Sequence, residues 1–207
     1  MIFKIKTTSN KKLEEYYNKA MKELDDFFKI NWEYNKPRII LVPDRKTIDS
    51  LRGKKTEPWI VGWASRTNVF LLNPKKFEKE SNHKYSNEKF SALIKHEICH
   101  CFLDVVAKGY SQKPRWLIEG VCIYLSGQNK FKNKPSQLKE FLKYEENVGL
   151  SVYRESGFAL EFLIKKYGKN KLIKLLKSLS KIKSKKEFAT LFKKIYGFDL
   201  KYKNFES

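Results

Sequence analysis

The stretch Phe90-Ser91-Ala92-Leu93-Ile94-Lys95-His96-Glu97-Ile98-Cys99-His100-Cys101-Phe102-Leu103-Asp104-Val105-Val106 decides how the rest of the chain is read. Its apolar residues recur at helical spacing, and at its middle stands His96-Glu97-Ile98-Cys99-His100, an HExxH motif. On an α-helix, residues four apart lie about 40° apart round the axis and about 6 Å apart along it, so both imidazoles project side by side. Zinc takes imidazole nitrogen at about 2.0 to 2.1 Å, and one helix face can supply two such ligands without strain. Glu97 falls about 100° round from His96, beside a metal held there, where a general base for an activated water is wanted. The chain has only three histidines, and two of them stand in this motif.

Outward from the motif, the helix is expected to start near Ser86 or Asn87 and to run to Lys108, with Gly109 as its stop. Phe90, Leu93, Ile94, Ile98, Cys101, Phe102, Val105 and Val106 cover more than one stripe, which predicts a buried helix whose histidines need partners. Pro114 opens the next helix, through Leu125, and sets Glu119 among Trp116, Leu117, Val121 and Ile123. A carboxylate in that company needs a cation or hydrogen-bond donors. Gly120 beside it would let this helix approach another closely. Cys122, three residues on, shares the face of Glu119 and is a rival zinc ligand by its chemistry.

Upstream, residues 10–29 carry Leu13, Tyr16, Tyr17, Ala20, Met21, Leu24, Phe27 and Phe28 at spacings of three and four, an amphipathic helix. Residues 37–43 form a proline-bracketed strand, and Asp44 caps a turn of helix near residues 48–51. Residues 59–64 and 68–73 read as two strands, with Pro74 ending the second. Trp63 and Phe70 there are core residues first, and a peptide-binding strand edge second. Residues 75–85 read as a charged loop with a solvated His83.

Downstream, residues 127–135 form a basic loop and Ser136 opens a short helix to Tyr144. Three further helices follow, from Ser151 to Tyr167-Gly168, over residues 171–179, and over residues 185–196. The reading is therefore a single α+β domain over residues 1–207. A small sheet lies in an N-terminal lobe of about residues 1–108, and a helical lobe fills about residues 109–207.

Composition narrows the function classes. The formal net charge is +21, and 38 of the 44 basic residues are lysine, scattered along the chain. A nucleic-acid footprint favours clustered arginine with aromatic residues on one face, so the lysines read as a solvated surface and no specific nucleic acid is expected. Cys99, Cys101 and Cys122 are odd in number, which indicates buried thiols rather than a disulfide framework, with a contact between Cys101 and Cys122 left open. No stretch approaches 18 apolar residues and the start lacks a long apolar region, so no membrane span or secretory signal is expected and the location is read as cytoplasmic.

With Glu119 in place, the pattern resembles the gluzincin metallopeptidases, in which HExxH is followed by a glutamate ligand on the next helix. Eighteen residues separate His100 from Glu119. Trp116-Leu117-Ile118-Glu119-Gly120 is similar to the WLxEG block of the aminopeptidase-N-like branch. More weakly, the resemblance runs from Ile39 and Val69 to Tyr167-Gly168, closest to small peptidase MA-like domains.

The resemblance implies a zincin-like, thermolysin-type core with zinc held by His96, His100 and Glu119. It makes Glu97 the general base, Tyr153 the oxyanion donor, and the strand at residues 68–72 the substrate-binding edge. It implies zinc-dependent hydrolysis of peptide or protein substrates. The chain departs from the pattern in lacking a GxMEN motif, so aminopeptidase specificity is not implied, and in carrying Ile118 where asparagine is frequent. Asp104, one turn past His100, is either an orienting carboxylate or a surface one. The rival readings are a lysine-rich nucleic-acid-binding module with structural or no zinc, and a catalytically silent zincin scaffold.

Overall fold

Asn10 begins the described fold by capping a helix: its side chain accepts from the Leu13 N–H at 3.1 Å while Glu14 accepts from the Asn10 N–H at 3.3 Å, satisfying donors that the helix start leaves free. The computed structural model describes residues 7–108, 114–142 and 151–205. Helix α1 (Lys11–Phe28) buries Ala20, Met21, Leu24 and Phe28. It ends at Lys29, whose φ of 56° is left-handed. Strand β1 (Arg38–Val42) leads through the Asp44 cap, which accepts from the Thr47 N–H at 2.8 Å, into α2 (Arg45–Arg52).

Strands β2 (Gly62–Ser65) and β3 (Asn68–Leu72) are joined by Arg66 and Thr67, with Arg66 at a φ of 53°. The sheet has three strands in the order β1-β3-β2, with β1 parallel and β2 antiparallel to β3. Trp63 on β2 faces Phe70 on β3, their rings stacked at 4.7 Å. Two corrections follow. Residues 59–61 lie outside β2, and β3 is the central strand, so the substrate-binding edge expected at residues 68–72 is not an edge. The edges among the described strands are β1 and β2, because α2 carries the chain across and lets β1 pair with the far side of β3.

The charged stretch after β3 is not simply a loop. Pro74 starts a short 3-10 turn that runs into α3 (Phe77–Glu80). Phe77 is 5% exposed and packs on Tyr85 and Phe90, and burial of a phenylalanine side chain, about 1.5 to 3 kcal/mol, outweighs the charges around it. Ser86 then caps α4 (Asn87–Val106), accepting from the Lys89 N–H at 3.1 Å. Helix α4 is the buried centre of the fold, with one exception to expectation: Val105 is 45% exposed. Gly109, the expected stop, lies outside the described residues, as does the loop at residues 110–113.

Helix α5 (Arg115–Ser126) packs between α4 and α6 (Ser151–Tyr167). A Cβ on Gly120 would stand 2.7 Å from the Ser156 carbonyl oxygen, so only glycine lets α5 and α6 meet this closely. Residues 136–142 are not helical, contrary to expectation, and residues 143–144 lie outside the described residues. The physical reason is Glu155 on α6. Its Oε2 accepts the backbone N–H groups of Lys139, Glu140 and Phe141 at 2.9, 2.7 and 3.0 Å, taking donors that a helix would have used.

Helices α7 (Lys169–Lys177) and α8 (Lys185–Tyr196) follow, and the chain closes with a 3-10 turn at Tyr202–Phe205. The molecule is α+β, predominantly helical, with one continuous hydrophobic core running from Ala20 to Phe205. No described helix is long and apolar enough to cross a membrane.

Candidate metal centre

Three side chains from two helices converge at the junction of the sheet with α4 and α5. His96 and His100 project from one face of α4, as their spacing requires, and Glu119 meets them from α5. Nε2 of His96 stands 3.3 Å from Nε2 of His100. Glu119 Oε2 lies 3.4 Å from the first and 3.6 Å from the second. The donors of a tetrahedral zinc with bonds of about 2.0 to 2.2 Å are separated by about 3.3 to 3.6 Å. The triangle therefore has the dimensions of one face of a tetrahedral coordination sphere, and these three residues could hold a metal ion.

Electrostatics favour the same assignment. Glu119 Oε2 is buried without a hydrogen-bond partner among the described residues, a costly state that a bound cation would relieve. Burial opposes ionisation of Glu119, but His100 and His96 hold its carboxyl well below the ordinary carboxylate range. Burial likewise opposes charge on His100, yet the Glu119 carboxylate lifts it to about 9. A metal at these donors would compete with protons for the same atoms. His96 Nδ1 has no partner among the described residues.

Glu97 sits beside the triangle rather than in it. It is 6% exposed, and burial raises its pKa. The edge strand makes room for it: a Cβ on Gly62 would lie 3.3 Å from both Cγ and Oε1 of Glu97 and 2.9 Å from Leu71 Cδ2. Any larger residue at position 62 would push the strand or the carboxylate away.

Tyr153 is brought to the site as expected, its phenol 3.4 Å from Glu119 Oε1. Burial raises its pKa, so the hydroxyl stays protonated and able to donate. Arg115 Nη2 also donates to that hydroxyl and lies 3.2 Å from Glu119 Oε1. The ring of Trp59 stands 5.8 Å from that of Tyr153, and Lys132 Nζ donates to the Tyr153 carbonyl. Burial lowers Lys132 to about 8. Sequence reasoning missed Arg115, Trp59 and Lys132. Only Arg115 left a signal, standing four residues before Glu119 on the same helix face.

The remaining candidates fall away from the triangle. The Cys122 thiol hydrogen-bonds with that of Cys99, both buried. Cys101 Sγ turns to the Glu97 carbonyl at 3.7 Å. Asp104 is half-buried, feels the charge of His100 and makes no hydrogen bond among the described residues. His83 is largely solvated, though its Nε2 lies 2.9 Å from the Trp59 carbonyl oxygen.

Comparisons with known protein families, with curated proteins and with solved structures gave no match.

Proposed function

We propose that this chain is a zinc metallopeptidase of the gluzincin type, built on a zincin-like core and acting on peptide or protein substrates. The observation that carries the reading is the convergence of His96, His100 and Glu119 at tetrahedral donor spacing, with Glu97 buried beside them. Zinc held by these donors would polarise a peptide carbonyl and lower the pKa of water. Glu97 takes the proton of the attacking water and returns it to the leaving amine. The Tyr153 hydroxyl donates to the oxygen that gains charge as the carbonyl becomes tetrahedral. Among the described residues strand β2 pairs only with β3, so its other edge can hold an extended substrate by backbone hydrogen bonds beside Glu97. Reduced thiols fit a reducing compartment such as the cytoplasm.

The test is metal content followed by a single substitution. Purified protein loaded with zinc should hold one ion per chain and cleave a peptide in a chelator-sensitive way. Glu97→Gln leaves all three donors intact, so it should keep its zinc while turnover falls by about 10² to 10⁴-fold. Zinc retained with wild-type turnover would refute the mechanism, and no zinc after loading would refute the site.

A further inference from the structure

Glu119 uses its two oxygens differently. Oε2 faces the two histidines with no hydrogen bond among the described residues, whereas Oε1 faces Arg115 Nη2 at 3.2 Å and the Tyr153 hydroxyl at 3.4 Å. The same Nη2 donates to the Tyr153 hydroxyl. One guanidinium nitrogen therefore joins the two, as an ion pair to the carboxylate and a hydrogen bond to the phenol. We infer that Arg115 is a positioning residue that splits Glu119, occupying Oε1 so that Oε2 alone is presented to a metal, and that holds the Tyr153 hydroxyl over the site through the same group. This rests on the metallopeptidase reading.

The physical need is clear from the side chain itself. The terminal torsion of glutamate is broad, so rotamer preference does not fix the plane of the carboxylate. Something must hold it if one oxygen is to face two imidazoles. Arginine suits the task, because its charge is permanent and its planar donors lie at fixed angles. The helix supplies the register, since positions 115 and 119 are four apart and share a face of α5. The guanidinium carbon also lies 5.6 Å from the centre of the Tyr153 ring, so the arginine touches both the phenol's oxygen and its ring.

Lysine at position 115 keeps the charge but offers a single compact ammonium, which cannot reproduce the fixed fork. Methionine keeps much of the length and removes every donor.

The experiment measures zinc affinity by competition with a chromophoric chelator for wild type, Arg115→Lys and Arg115→Met, with far-UV circular dichroism as the check on folding. Turnover is then measured for each with and without Tyr153→Phe. Arg115→Met should weaken zinc binding by about 10- to 100-fold, the usual effect of removing a group that orients a ligand. Arg115→Lys should fall between it and wild type, and it carries the test if the methionine protein does not fold. Tyr153→Phe should lower turnover in the wild-type background and have little further effect in the Arg115→Met background, because the two side chains act as a unit. Wild-type zinc affinity in the folded arginine variants, with an undiminished effect of Tyr153→Phe, would overturn the positioning role while leaving the metal site standing. Failure of the wild-type protein to bind zinc would instead overturn the site and the role together.

Discussion

At the residue scale, the identity of the third donor is the sharpest question, because Glu119 and Cys122 share a helix face and both are chemically able to bind zinc. The structure separates them: the carboxylate meets the two imidazoles, while the thiol meets Cys99. Glu119→Ala should therefore abolish tight zinc binding, whereas Cys122→Ala should retain it and cost only about 1 kcal/mol for the small cavity left behind. Equilibrium dialysis against zinc, with denaturant unfolding alongside, measures both. Zinc lost from the cysteine variant and kept by the alanine replacement of Glu119 would reverse the assignment.

Among the elements, the segment between α2 and β2 brings Trp59 to Tyr153, and side chains add to its backbone bond from the Ile60 N–H to the Glu57 carbonyl at 2.9 Å. Asp49 Oδ1 accepts from the Thr56 N–H at 2.8 Å and from its hydroxyl at 2.6 Å. Arg45 reaches the Ile60 carbonyl at 2.6 Å and the Pro58 and Glu80 carbonyls at 3.1 and 2.9 Å. The two bonds from Thr56 hold the Asp49 carboxyl below its ordinary 3.8. A depressed carboxyl stabilises the fold above its unfolded pKa, and that contribution is lost as pH falls through the folded value. Asp49→Ala should therefore lower the melting temperature at neutral pH, and the gap from wild type should close as pH drops below 3.8. A gap that persists undiminished in acid would show that the bonds to Thr56 are not its source.

Across the whole molecule, the WLxEG block is anchored by aromatic packing that spans the C-terminal half. Trp116 meets Phe141, Phe188, Phe192 and Phe205 edge-on or tilted, with centroids 5.1 to 6.5 Å away. Phe205 is 4% exposed although it stands at the end of the described chain. Phe205→Ala should cost about 3 kcal/mol in denaturant unfolding, since the cavity would open against Trp116; a change below about 1 kcal/mol would mean that the terminal turn contributes little.

Charge is the other property of the whole chain. The excess of lysine and arginine over acid gives a net +21, and a solvated surface of that kind predicts weak nucleic-acid binding without sequence preference, collapsing toward physiological salt. Selective binding that survives there would favour a nucleic-acid role over the peptidase.

What sequence alone determined here is local and periodic. Four-residue spacing on one helix places His96 and His100 together whatever surrounds them, and the caps at Asp44 and Ser86 are local hydrogen bonds readable from residue type. The apolar neighbours of Glu119 marked it as a carboxylate in need of a cation or donors, the resemblance of its block implied the ligand role, and the structure brings it to the two histidines. Tertiary structure alone decided which strands are edges, because strand order depends on how α2 carries the chain across the sheet. It also brought Cys99 to Cys122, and it gave the backbone donors of Lys139, Glu140 and Phe141 to Glu155 in a stretch where a helix was expected. Arg115 lies between the two cases. Its spacing from Glu119 was visible, but its bond to Tyr153 joins positions 38 residues apart, and no local pattern reports a contact whose geometry is set by the packing of α5 on α6.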